Sequence, residues 1–105
     1  LKISLDVTKS DLRNASKLKT KLLPPLEKSI EKASSKGRVQ GLFFEVVSGK
    51  SITVGEIDEV FKAISERFPS MDLSYNITIG RERDGMRLKG YTSHEPIGEA
   101  LKSYS

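Results

Sequence analysis

The chain contains no cysteine. A disulfide scaffold, a thiolate metal site and a cysteine nucleophile are therefore excluded. The same absence points to a cytoplasmic setting, because small secreted domains lean on disulfides. There is a single histidine, His94, so a multi-histidine metal site cannot form, and nothing around it suggests a catalytic triad. No apolar run approaches the ~20 residues that span a bilayer. The stretch Leu1–Val7 is too short and too polar for a secretory signal. Internal repeats, linkers and low-complexity tracts are also missing.

What remains is the composition of a folded domain. Of 105 residues, 36% are hydrophobic and 30% charged, a balance expected of a globular chain rather than a disordered one. That length supports one core, so a single domain over residues 1–105 is expected. The net charge of +4 is unevenly spread: residues 1–38 carry ten Lys/Arg against four Asp/Glu, and the rest eight against ten. A basic first helix could attract a polyanion. The commoner use of such a run is a solvated helix face.

The segment Val39–Phe68 organises the chain. Leu42, Phe43, Phe44, Glu45, Val46 and Val47 form an almost unbroken apolar run, which suits a central strand covered on both faces. Ser48-Gly49-Lys50 punctuates it. Thr53 and Glu56 have the spacing of a capping box, with the Thr53 hydroxyl accepting from the Glu56 amide and the carboxylate reaching back. Ile57, Val60, Phe61, Ile64 and Phe68 then recur at helical spacing until Pro69 stops the helix.

The flanks add three strands and more helix. Ile3, Leu5 and Val7 alternate with polar residues as in a half-buried strand, and Thr8 or Ser10 can cap the helix that follows. Leu12, Ala15, Leu18, Leu22, Leu26, Ile30 and Ala33 make a helical stripe through Pro24-Pro25. Proline removes a donor and clashes with the preceding turn, so a break is expected there. Gly37 is expected to cap the end. Leu73, Tyr75, Ile77 and Ile79 alternate cleanly as the buried face of a strand. Asp84-Gly85 is a strong hairpin signal, and counting back from it sets Glu82 opposite Arg87 and Thr78 opposite Tyr91. After a turn at Ser93–Glu95, a short final helix is expected over Ile97, Ala100, Leu101 and Tyr104.

The predicted fold is α+β: a two-layer sandwich in β-α-β-α-β-β order, with a mixed four-stranded sheet, helices on one face and a short C-terminal helix. Its core is expected to include Phe44, Val46, Ile57, Phe61, Ile64, Ile77 and Leu88. The first two strands, joined through a helix, should be parallel neighbours or have another strand between them.

Candidate chemistry is sparse. Gly49-Lys50-Ser51 sits between a strand and a helix as the end of a phosphate-binding loop does, but the motif needs a glycine where Phe44 stands. Glu56, Asp58 and Glu59 complement a helix N-terminus better than they make a catalytic pair. Glu45 needs a basic neighbour on an adjoining strand if it is buried. His94 reads as a surface turn residue. No catalytic residue, metal, cofactor or small-molecule ligand is expected. The open sheet face is the candidate binding surface, with Lys2, Phe43, Val47, Arg87, Lys89 and Tyr91 sharing it. Basic groups beside an exposed aromatic suit single-stranded nucleic acid. Phe43 and Val47 instead suit cover by the last helix or by another protein chain.

Gly41-Leu42-Phe43-Phe44-Glu45-Val46-Val47-Ser48-Gly49, followed by Ile52-Thr53-Val54-Gly55-Glu56-Ile57-Asp58-Glu59-Val60, resembles the C-terminal domain of FtsZ, the tubulin-like division GTPase. That family has a Gly-led apolar strand, a Gly-rich turn, then Leu-Thr and a helix with Glu-Val-x-Glu character. Asp72–Tyr91 looks like the closing hairpin of the same domain, and the likeness covers roughly residues 26–92. The family's nucleotide-binding domain and its phosphate loop have no counterpart here, nor does the acidic loop that completes hydrolysis. The resemblance therefore implies a fold and a binding or assembly surface, with a protein partner or self-association, and carries over no catalytic residue. The same element order occurs in Alba-like chromatin proteins and in the C-terminal domain of a bacterial translation initiation factor. Both bind nucleic acid, and their basic hairpins are loosely similar to Arg81–Lys89, where Glu82 and Asp84 dilute the charge.

Overall fold

The computed structural model describes residues 2–80 and 85–94. The expected final helix and Glu82 lie outside them. The chain runs β1 (Lys2–Thr8), α1 (Lys9–Leu12), α2 (Ala15–Ser34), β2 (Gly41–Ser48), α3 (Val54–Arg67), β3 (Asp72–Ile79) and β4 (Gly85–Ser93). The sheet is mixed and four-stranded, in the order β1-β4-β2-β3. Strand β4 is antiparallel to both β1 and β2, while β2 and β3 are parallel.

This order corrects the hairpin. Strands β3 and β4 follow one another in sequence but lie on opposite sides of β2. Thr78 pairs with Val47, and Tyr91 with Phe43 and Lys2, so Thr78 and Tyr91 are not opposite each other. Both connections close on the end of β2: the Gly80 amide donates to the Ser48 carbonyl, and the Gly49 amide to the Gly85 carbonyl, each at 2.9 Å. Of the two arrangements expected for the first two strands, the structure has the separated one, with β4 between them.

One face of the sheet meets the helices. Leu5, Val7, Leu42, Phe44, Val46, Met86 and Leu88 are buried against Leu18, Leu22, Leu26 and Ile30 of α2 and Ile57, Val60, Phe61 and Ile64 of α3. Phe61 is the centre of an aromatic group. It stacks on Tyr75 with centroids 3.9 Å apart and meets Phe44 edge-on at 5.5 Å. Gly90 lies between Ile3 and Phe44 in the ladder. A Cβ there would sit 2.7 Å from a carbon of each, so the side chains close over a space only glycine leaves.

Two burial expectations fail. β2 is central but covered on one face only: Phe43 and Val47 are half-buried and Glu45 is exposed. An apolar run here reflects a sheet whose open face carries its own apolar strip. Ile77, expected in the core, is 43% exposed, and Ile79 is 69% exposed. They point to the helix side, but β3 is the sheet's edge and the helices do not cover its last half.

The helix break also moves. α2 runs through Pro24 and Pro25 without interruption, and the chain breaks instead at Arg13-Asn14. Each proline removes an amide that would bond the carbonyl four residues back. Those carbonyls belong to Thr20 and Lys21, which are exposed, so water can take them. The opposite stripe of Leu18, Leu22, Leu26 and Ile30 is buried, and that packing outweighs the proline cost. Asn14 caps α2 by accepting from the Lys17 amide. At the other end, Gly37 stands two residues past the cap residue Ser35, with φ at +140°.

Candidate functional site

Three rows of side chains cross the open face, because alternate residues of neighbouring strands share a face. The first row aligns Lys2, Tyr91, Phe43 and Ser74. The second aligns Ser4, Lys89, Glu45 and Asn76, and the third Asp6, Arg87, Val47 and Thr78. All six candidate positions are therefore brought together on one face, Lys2 by its backbone register. Period-two alternation fixes that outcome whichever strands turn out to be neighbours.

The face has an apolar strip and matched charges. The Phe43 and Tyr91 rings lie 6.3 Å apart, tilted by 33°, and both are half-buried. Val47 continues the strip along β2. Arg87 donates from Nε to Asp6 Oδ1 at 3.0 Å, with both side chains exposed. Lys89 is aligned with Glu45 on β2; Glu45 is exposed, so the burial that would have required a basic partner does not arise. Sequence reasoning missed the Arg87–Asp6 pair, since it joins the first and last described strands.

Around the helix starts, the charges serve the fold. Thr53 and Glu56 form the expected capping box, and the Glu56 carboxylate also accepts from Lys9 Nζ at 2.6 Å. The Lys9 hydrogen bond, with that of the Thr53 amide, holds the Glu56 carboxyl below its usual range. A second capping box joins Thr8 and Asp11 at α1. Asp11 is only 2% exposed. It accepts from the Thr8 amide at 2.9 Å and from Lys21 Nζ at 2.7 Å. Burial pushes the Asp11 carboxyl up, but the bonds from Lys21 and Thr8 outweigh it and hold the group at about 2.

Elsewhere the chemistry is thin. Gly49-Lys50-Ser51 forms a turn closed by the Ile52 amide on the Gly49 carbonyl, and α3 starts only at Val54. The lysine and serine thus precede the helix instead of entering it. His94 is exposed, with Nδ1 3.2 Å from the Arg38 carbonyl oxygen. A depression of about 630 Å³ lies where β1 enters α1. Of its charged residues, Lys9 is already paired with Glu56, and Arg87 with Asp6. Among the described residues, no three His, Asp or Glu side chains gather as metal ligands would. No helix among them is long and apolar enough to cross a membrane.

No family model matches the chain, and no curated protein is significantly similar to it.

Proposed function

We propose that this chain is a non-enzymatic interaction or assembly domain of FtsZ C-terminal-like fold that docks a protein partner on its open sheet face. Phe43, Tyr91 and Val47 are the anchors, and Lys89, Glu45, Arg87 and Asp6 form the rim. The observation that carries the reading is the pairing of charge across that face, with Arg87 bonded to Asp6 and Lys89 beside Glu45. A nucleic-acid platform leaves its cations free for phosphates. Here Asp6 takes Arg87 and Glu45 lies across from Lys89, while the rings of Phe43 and Tyr91 stand half-buried together on the same face. An interface centre depleted in net charge and enriched in aromatics suits a protein partner. The resemblance of Gly41–Val60 to the FtsZ family supports the assembly half of the reading. A cytoplasmic setting fits a core that uses no disulfide.

The test sets protein against nucleic acid. A photo-cross-linking residue in place of Phe43 should give protein adducts in cells, and these should disappear when Tyr91→Ala is added. Single-stranded RNA and DNA oligonucleotides should show no saturable binding at physiological salt. Micromolar oligonucleotide binding that weakens with salt, and is lost on Tyr91→Ala, would sink the protein reading. It would favour the Alba-like or initiation-factor-like alternative.

A further inference from the structure

Strand β3 is the last strand of the sheet, and its outer edge has no partner strand among the described residues. The Asp72 amide donates to Gln40 at one end of β3, and the Gly80 amide to Ser48 just past the other. The even-numbered residues therefore bond β2, and the backbone groups of Leu73, Tyr75, Ile77 and Ile79 point outward. These are the same four residues whose side chains lie on the helix side. Two of them, Ile77 and Ile79, are 43% and 69% exposed. Natural edge strands are blunted by charge, proline or bulges. The segment Leu73–Ile79 contains no charged residue, proline or glycine, whereas the opposite edge, β1, carries Lys2 and Asp6.

We propose that β3 pairs antiparallel with β3 of a second copy, about a two-fold axis at Asn76, to make a continuous eight-stranded sheet. This goes beyond the open-face reading and does not rest on it. A second copy is the occupant because the edge complements itself. In an antiparallel pair, outward-bonding residues must meet outward-bonding residues. Only the register centred on Asn76 engages all four of them. It sets Ile79 against the partner's Leu73 and Ile77 against the partner's Tyr75. Each exposed isoleucine then meets a half-buried apolar side chain on the helix side. On the other face, Ser74 meets the partner's Thr78, and Asn76 meets its own copy. With no charge between Leu73 and Ile79, the two-fold axis brings no like charges together. Over the seven residues Leu73–Ile79 the contact extends about 23 Å, at ~3.3 Å per residue. It falls at the small end of specific interfaces, so the dimer should be weak and concentration-dependent.

The chain's lack of cysteine permits a register-specific test. Opposed residues of a non-hydrogen-bonded antiparallel pair have Cα atoms about 4.5 Å apart, within disulfide reach. Asn76→Cys should therefore form a covalent dimer on mild oxidation. Thr78→Cys should not, because its own copy would lie about 14 Å away along the strands, four residues off at ~3.4 Å each. In sedimentation, the wild-type chain should shift toward dimer as its concentration rises through the micromolar range. Ile79→Lys places a charge at an already exposed position and should raise the dimer dissociation constant roughly tenfold or more. Ile79→Pro removes one outward amide and no bond to β2, and should weaken the dimer while leaving thermal unfolding near wild type. Phe43→Ser on the open face should leave dimerisation unchanged. Equal cross-linking by Asn76→Cys and Thr78→Cys overturns the proposed register. A wild-type monomer at high concentration overturns the dimer, and leaves the edge to residues 95–105 of the same chain or to an extended segment of another protein.

Discussion

Replacing Gly90 by alanine adds one carbon where the sheet has no room for it. The new Cβ would lie 2.7 Å from Phe44 Cε1, 3.2 Å from Phe44 Cδ1 and 2.7 Å from Ile3 Cγ2. Phe44 is fully buried, and it meets Phe61 edge-on while Phe61 stacks on Tyr75. The Phe44 ring cannot retreat without moving Phe61 off its own neighbour. Overpacking of this kind costs about 1–3 kcal/mol. Alanine returns part of that by restricting the unfolded chain, typically by about 0.4–1 kcal/mol. The expected net loss is about 1–2 kcal/mol, or a fall in Tm of roughly 4–15 °C for a domain of this size. Urea unfolding measures it directly, with an unchanged m-value if the denatured state is unaffected. A double-mutant cycle isolates the cause. Phe44→Leu makes space beside position 90, so Gly90→Ala should cost less in that background, with a coupling of about 0.5–3 kcal/mol. Gly90→Ala at wild-type stability, or full additivity with Phe44→Leu, would refute the packing argument.

Two further outcomes follow from the helical layer. Pro24→Ala should raise stability by about 1 kcal/mol or more, because an exposed helix interior regains a bond and a proline costs up to about 3 kcal/mol there; chemical denaturation that found a loss would mean the proline makes contacts worth more than the bond it removes. The Asp11 carboxyl sits at about 2 in the fold against 3.8 for an unperturbed aspartate, so its stabilisation is present above the unfolded value and is lost as pH falls toward and through about 2. The shift corresponds to about 2 kcal/mol. Asp11→Asn should therefore lower stability by about that much near pH 5, and the gap from wild type should close near pH 2. A gap that stays constant with pH would remove the carboxylate's charge from the explanation.

The elements were legible where local pattern and tertiary position agree. The alternation of Ile3, Leu5 and Val7 and the Thr53–Glu56 box are self-contained signals, and both appear as strand and cap. The strand order was not legible. Asp84-Gly85 suits a tight hairpin, but β2 takes the place between β3 and β4, and no local signal reports a pairing made across forty residues. Ile77 and Ile79 alternate like core residues because they do face the helix side. Exposure came from standing on the edge, which periodicity does not encode. At Pro24-Pro25, local propensity pointed one way and the buried leucine stripe the other, and packing prevailed. The candidate site was readable as a set, because a face depends only on alternation. Its electrostatics were not, because the Asp6–Arg87 pair depends on β4 lying beside β1.

The insertion of β4 between β1 and β2 also constrains the order in which the sheet can form. β2, α3 and β3 make a unit whose two strands bond each other directly. β1 bonds no strand but β4 among the described residues. A ribosome-bound chain that has emerged only as far as β3 can assemble the β2-α3-β3 unit, but it holds β1 by helix contacts alone. Until β4 arrives, two strand edges face an empty slot one strand wide. Closing that slot joins residues some eighty positions apart, such as Asp6 and Arg87, and such closures slow folding. During that interval the unfilled slot, rather than any surface of the finished fold, is where a chaperone or a stray strand would bind.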